Sequence, residues 1–154
     1  MNKIKKILAP TDLSELSQVG IRYALEMARD TGAEVTVYHV VDREEFVHYG
    51  EALQEKASPE QSPNHPEHLL QKCEQALSRF INDHFSELTP GLQIRELVEI
   101  GTADDNIVEQ AKKDGANLII ISTHGRTGIS HILLGSVTEK VVRRAPCPVL
   151  SIHP

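Results

Sequence analysis

Tryptophan is absent, and there are only three phenylalanines and three tyrosines. A core built from this chain must therefore be aliphatic, made of Ile, Val, Leu and Ala, which suits tightly packed parallel strands covered by helices. Cysteine occurs twice, as Cys73 and Cys147. With no CxxC pair and no zinc-type spacing, a disulfide framework and a structural zinc site are both excluded. Two unpatterned cysteines and no secretory leader pattern give the expectation of a reducing, cytoplasmic setting. No apolar run approaches the roughly 20 residues that cross a bilayer, so no membrane association is expected. Positive charge is in deficit: 16 Lys and Arg stand against 22 Asp and Glu, for a formal net charge of -6. Phosphate-backbone affinity comes from accumulated basic residues, so no nucleic-acid partner is expected. The short runs Lys3-Ile4-Lys5-Lys6 and Arg143-Arg144 do not alter that.

What is present is an alternation of short β-branched runs with helical periodicity. The chain of 154 residues is read as a single domain, 1–154. Lys3 to Pro10 is a first strand ended by its proline. Ser14 has the chemistry of a helix N-cap, with Leu16, Gly20, Tyr23, Ala24, Met27 and Ala28 at helical spacing and Gly32 as the stop. Glu34 to Val41 is a second strand. The polar segment from Asp42 to Pro66, with three prolines, reads as a mobile linker at about 43–65, with at most a helical turn near Glu51 to Lys56. Glu67 to Leu88 is the clearest helix, its stripe drawn through Leu69, Cys73, Ala76, Phe80 and His84 and widened by Leu70, Leu77 and Ile81. Leu92 to Ile100 is a third strand. A helix capped by Thr102 follows, with Asp104 and Asp105 in its first turn, Ile107, Val108 and Ala111 as apolar contacts, and Gly115 at its end. Asn117 to Ser122 is a strand apolar on both faces. Ser136 opens a last helix carrying Val137, Val141 and Val142, and Pro148 to Ile152 is a final strand with an edge character. The order predicts an α/β fold: an open, doubly wound, five-stranded parallel sheet with helices on both faces.

Ligands of such sheets lie beyond the carboxyl ends of the strands, where strand order reverses. That directs attention to Pro10-Thr11-Asp12 and to the segment from Ser122 to Ser136. Gly135-Ser136 precedes a helix whose first amides have no partner within the helix. Together with the dipole, they make a place for an anion. A phosphate cradle and a plain helix start both satisfy this pattern. GxxxxGKS/T is absent, which excludes a Walker-A loop, and so is GxGxxG after the first strand, which argues against a dinucleotide fold.

The stretch from Ser122 through Gly125, Gly128 and Gly135-Ser136 to Thr138 resembles the nucleotide loop of the ATP-binding branch of the universal stress protein family. In that motif a glycine, two residues and a second glycine are followed nine residues later by Gly and Ser or Thr. Gly125 matches the second glycine, and Gly135-Ser136 closes the motif. Leu8 to Ser14, Tyr38 to Asp42 and Ala145 to Leu150 resemble the family too, so the likeness spans nearly the whole chain. It implies a sheet of the adenine nucleotide alpha hydrolase type and a regulator that holds ATP, with Mg²⁺ or Mn²⁺ bound through the phosphates. Pro10, Thr11 and Asp12 would border the adenosine, and Val40 would meet the adenine through its backbone. Ser122, Thr123, His124 and Gly125 would line the ribose and phosphates, with Gly128 shaping the loop; Arg126, apart from the resemblance, is placed either to meet a phosphate or to point to water. Gly135, Ser136, Val137 and Thr138 would cradle the phosphates. The last strand would pair with its twin in a homodimer, and a bare apolar edge gives that pairing an independent motive. A further protein partner is implied but not named by any residue. The chain departs from the motif at its first glycine, which is Ser122: its Cβ would crowd the nucleotide, or its hydroxyl would bond there.

Other constellations carry less. His65 and His68 form an HxxH that at a helix start could hold a metal with outside help, but whose plainer reading is a solvated loop. His131 is read as solvent-facing, and His39 as a strand histidine with a structural hydrogen bond. Asp12 has no partner at a readable spacing that would make it a catalytic base, so no catalytic or metal-ligating residue is assigned and hydrolysis is expected to be slow at most. A nucleotide-free dimeric docking module and a nucleotide-cleaving enzyme are the alternatives.

Overall fold

The computed structural model describes residues 3–56, 66–124 and 134–154. Five strands, β1 (Lys6–Pro10), β2 (Glu34–Asp42), β3 (Ile94–Gly101), β4 (Leu118–Ser122) and β5 (Val149–Ile152), alternate with five helices, α1 (Gln18–Thr31), α2 (Arg43–Lys56), α3 (Pro66–Phe85), α4 (Ala103–Asp114) and α5 (Ser136–Arg144). The sheet order is β3-β2-β1-β4-β5, and every pairing is parallel. Strand order thus reverses at β1, as a doubly wound sheet requires.

Alternation along the strands divides the apolar residues between two layers. Ile7, Ala9, Val35, Val37, Leu118 and Ile120 face α1 and α3, where they meet Ile21, Ala24, Leu25, Leu77, Phe80 and Phe85. Leu8, Tyr38, Ile119 and Ile121 face the other way, onto Ile107 and Ala111 of α4 and Val141 of α5. This is why β4 reads as an unbroken apolar run: all five of its residues are buried. Across the second layer Arg144, near the end of α5, bonds Asp104 at 3.1 Å and Asp105 at 2.6 Å in the first turn of α4.

Several sequence expectations need correction. The first helix begins at Gln18, with Ser17 in the N-cap position. Ser14 does accept a bond of the capping kind, from the Ser17 N–H at 3.2 Å, but it closes a turn that precedes the helix. The buried stripe of α1 runs through Gly20, Ile21, Ala24, Leu25 and Ala28, and Tyr23 is exposed. Residues 43–56 form a helix, not the loop read from their polarity. The missed signal is Asp42, whose Oδ1 accepts from the amides of Glu44 at 2.9 Å and Glu45 at 3.3 Å. A carboxylate capping a first turn that itself holds glutamates is a helix start. Among the described side chains of this helix, Phe46 packs against the first core layer. In α3 the buried face is Leu69, Leu77, Phe80, Ile81 and Phe85, while Ala76 and His84 are exposed. Val142 is likewise exposed. No helix of the described residues is long and apolar enough to cross a membrane.

Candidate functional site

A cavity of about 250 Å³ opens at the carboxyl ends of β1, β2 and β4, between the first turns of α4 and α5. Its apolar walls are Pro10, Tyr38, Val40, Ala103, Ile107 and Ile121. Pro10, Tyr38 and Val40 share a wall because Pro10 is opposite Tyr38 in the register and Val40 lies two residues further along the same face. Its polar walls are Thr11, Asp12, Ser17, Ser122 and His124 on one side and Gly135 to Thr138 on the other.

The loop after β1 is fixed by its own side chains. Thr11 Oγ1 accepts from the Leu13 amide at 3.0 Å, and Asp12 Oδ1 accepts from the Ser14 amide at 3.0 Å. Between them Leu13 takes a left-handed backbone, φ 64°. Non-glycine residues adopt that conformation only where their surroundings enforce it. Beneath the cavity runs a belt of buried polar groups. The Thr11 and Ser17 hydroxyls bond at 2.7 Å, and His39 Nδ1 meets Thr11 O at 2.9 Å. The Ser122 hydroxyl donates to Ser17 O at 3.2 Å and accepts from the Gly20 amide at 3.1 Å, and Thr138 Oγ1 donates to Ser122 O at 2.9 Å. These bonds hold α1, β1, β2, β4 and α5 in one register around the opening. His39 therefore has the structural bond expected of it.

The belt answers the question that Ser122 posed. Its hydroxyl is taken up by the first turn of α1, where Gly20 leaves room: a Cβ on Gly20 would stand 2.8 Å from Ser122 Oγ and 2.9 Å from Ser122 N. The serine is therefore a link between sheet and helix.

At the other wall, α5 starts from Gly135 in an extended conformation with no side-chain cap. The amides of its first turn have no partner inside the helix, and the residues that carry them line the cavity. Gly135 also serves an end that the sequence did not reveal. Its amide donates to Thr123 O at 2.6 Å, and an added Cβ would sit 3.0 Å from that same oxygen. The glycine allows backbone to meet backbone. The Ser136 hydroxyl belongs to an exposed residue at the rim.

Of the residues singled out from sequence, Pro10, Thr11, Asp12, Val40, Ser122, His124, Gly135, Ser136, Val137 and Thr138 line this one cavity. Thr123 is buried and holds the walls together, through its carbonyl to Gly135 and its hydroxyl to His124. Gly125, Arg126 and Gly128 lie outside the described residues, as do His65 and His131. Among the described residues no group of three or more His, Cys, Asp or Glu could hold a metal ion. Sequence reasoning missed Ser17, Tyr38, Ala103, Ile107 and Ile121 as wall residues. Two-residue alternation back from Val40 would have found Tyr38.

Tyr38 is fully buried, and its hydroxyl donates to Glu99 Oε2 on β3 at 2.9 Å. Burial first, and the glutamate acceptor second, push the phenol well above its ordinary range. The ring is thus a fixed, uncharged wall.

The model of the universal stress protein family matches residues 3–153. The universal stress protein MJ0531 of Methanocaldococcus jannaschii is 36% identical over 151 residues, covering 98% of this chain and 83% of the relative. MJ0577 of the same organism is 31% identical over 155 residues, covering 96% and 94%. A solved structure of MJ0577, described as a structure-based assignment of biochemical function, superposes with a TM-score of 0.76 at 28% identity, covering 99% of this chain and 98% of that one. A universal stress protein solved in complex with cAMP shares the fold, with a TM-score of 0.61 at 22% identity over 99% and 98% of the two chains.

Proposed function

The chain belongs to the universal stress protein family, and we propose that it binds ATP in this cavity and works as a nucleotide-dependent regulator. The observation that carries the reading is the pairing of two unlike walls. An apolar slot at the ends of β1 and β2 suits a purine, and the first-turn amides of α5 at Ser136 to Thr138 suit phosphate oxygens. Mg²⁺ or Mn²⁺ would be held mainly by the phosphates. The Asp12 carboxylate and the Ser136 hydroxyl line the same cavity and are hard oxygen donors of the kind those ions accept. When bound, the ion would neutralise phosphate charge that an acidic protein cannot.

The regulatory step follows from the belt. Phosphates on the first turn of α5 act on a helix whose Thr138 is bonded to Ser122, and Ser122 is bonded to α1. Nucleotide binding would therefore bias how α5 and α1 sit on the sheet, and a partner protein would read the difference. Hydrolysis, if measured, is expected to be slow. The reading includes a cytoplasmic location and a homodimer through the edge of β5.

Calorimetry with Mg-ATP on the native chain and on Ser136→Asp tests the site. An aspartate suits the first turn of a helix, so thermal stability should hold or rise. Its charge faces the phosphates, so ATP affinity should fall at least about tenfold. Affinity should also fall in the order ATP, ADP, AMP. Absence of ATP binding by the native chain, or equal affinity in the variant, overturns the proposal.

A further inference from the structure

Building on the nucleotide reading, we propose that His124 and His153, joined through the Thr123 hydroxyl, form a proton-linked subsite for the terminal phosphate. The ligand class is a terminal, singly substituted phosphoryl group in its dianionic form, and its binding takes up a proton from solvent.

The geometry is specific. Thr123 Oγ1 lies 2.8 Å from His124 Nδ1 and 3.2 Å from His153 Nδ1. The two ring centroids are 5.4 Å apart. Thr123 is buried, His124 lines the cavity, and His153 follows the last residue of β5.

A hydroxyl has one proton to give and two lone pairs to receive. With both imidazoles neutral, it donates to one Nδ1 and accepts an N–H from the other, so the rings must be opposite tautomers at that position. A first added proton gives both rings an Nδ1–H. Both then donate to the threonine oxygen and fill its two lone pairs. A second proton sets two cations 5.4 Å apart, and that repulsion resists it. An anion beside His124 offsets the repulsion, and the phosphate end of a nucleotide held on the first turn of α5 is such an anion. The pair thus holds more protons with phosphate present than without it. By linkage, phosphate binding then strengthens as pH falls.

The other charged groups at this corner, among the described residues, act in known directions. Asp12 shares the cavity with His124; its carboxylate favours imidazolium and opposes phosphate. His39 on β2 is bonded through Nδ1 to Thr11 O. Glu139 in the first turn of α5 is paired with Arg143 at 2.8 Å. His153 does not line the cavity, so it acts through Thr123 and His124 as a positioning residue.

The test is calorimetry of ATP binding at pH 6.5, 7.5 and 8.5, in buffers of different ionisation heat, on the native chain and on His153→Gln. The native chain should take up a substantial fraction of a proton at pH 7.5. Its affinity should rise about five- to tenfold more between pH 8.5 and 6.5 than that of the variant. Because ATP's own titration is common to both proteins, it cancels in that difference. In the nucleotide-free protein, the ring resonances of His124 and His153 should titrate as a coupled pair, and replacing one should simplify the curve of the other. Equal proton uptake and equal pH slopes in the two proteins overturn the inference while leaving ATP binding intact. Two independent single-site ring titrations overturn it as well. No ATP binding at any pH overturns both this inference and the reading beneath it.

Discussion

The Gly135 amide meets Thr123 O at 2.6 Å, and an added Cβ on that glycine would lie 3.0 Å from the same oxygen. The strand that ends at Ser122 and the helix that starts at Ser136 are therefore joined by a close backbone contact that a side chain on Gly135 would crowd. Gly135→Ala should cost about 1–3 kcal/mol through the shift it forces, and should weaken ATP in step by moving the first turn of α5. Urea unfolding and calorimetry on the same variant check both effects. An alanine variant of native stability would show that the contact yields easily.

Gly20 and Ser122 form a second pair of this kind. Gly20→Ala places a carbon 2.8 Å from Ser122 Oγ and 2.9 Å from Ser122 N. The expected loss is about 1–3 kcal/mol. Ser122→Gly removes the hydroxyl but not the backbone nitrogen, so the double variant should recover only part of it. Ser122→Gly alone should cost about 1–2 kcal/mol, from two lost hydrogen bonds and a looser unfolded chain. It should leave ATP affinity within about threefold, since the hydroxyl serves α1. A double-mutant cycle in urea measures the coupling.

Tyr38 gives a prediction at high pH. Burial and the bond to Glu99 hold its phenol protonated beyond the ordinary tyrosine range near about 10. In the unfolded chain the same phenol loses its proton earlier. Folding stability from this group is therefore complete below the ordinary range and declines as pH rises beyond it. Spectrophotometric titration should show one of the three tyrosines resisting ionisation until the fold gives way. Tyr38→Phe should abolish that component and cost about 1 kcal/mol at neutral pH.

The β5 edge allows a clean test of the dimer. Ile119 and Thr123 of the neighbouring segment donate to Pro148 O and Ile152 O. In a parallel ladder the even-numbered residues here face β4, so the amides of Val149 and Ser151 point outward. Ser151→Pro removes an outward amide without touching the β4 ladder. Sedimentation should show the native chain as a dimer and the variant as a folded monomer. A variant that remains dimeric would place the interface elsewhere.

Much of this was legible beforehand because it rests on local rules. The apolar run Leu118 to Ser122, the glycine stops at Gly32 and Gly115, and the alternation of strand and helix gave the sheet and hence the place of the site. The wall residues Pro10 and Val40 followed from that, and from the family resemblance. What stayed hidden depended on tertiary contact. The helix at 43–56 is polar in sequence and shows no sustained apolar period, so the Asp42 cap is its clearest signal. Tyr23 and Val142 sit at plausible helical positions but turn to solvent, because helical spacing fixes a stripe only to within one position. Gly135 was legible only as the start of the last helix, and its close contact with the carbonyl of Thr123 was not. No sequence rule pairs residues that far apart.

The strand order has a consequence for synthesis. β1 lies in the middle of the sheet, and its two flanks are filled at very different times. Lys6 pairs with Glu34, whereas Ile7 pairs with Leu118 on the other side. As the chain leaves the ribosome, β1 can join β2 early, but its second flank stays open until β4 has emerged. A nascent or prematurely terminated chain therefore presents a bare apolar strand, which is the hazard that makes non-local sheets dependent on chaperones.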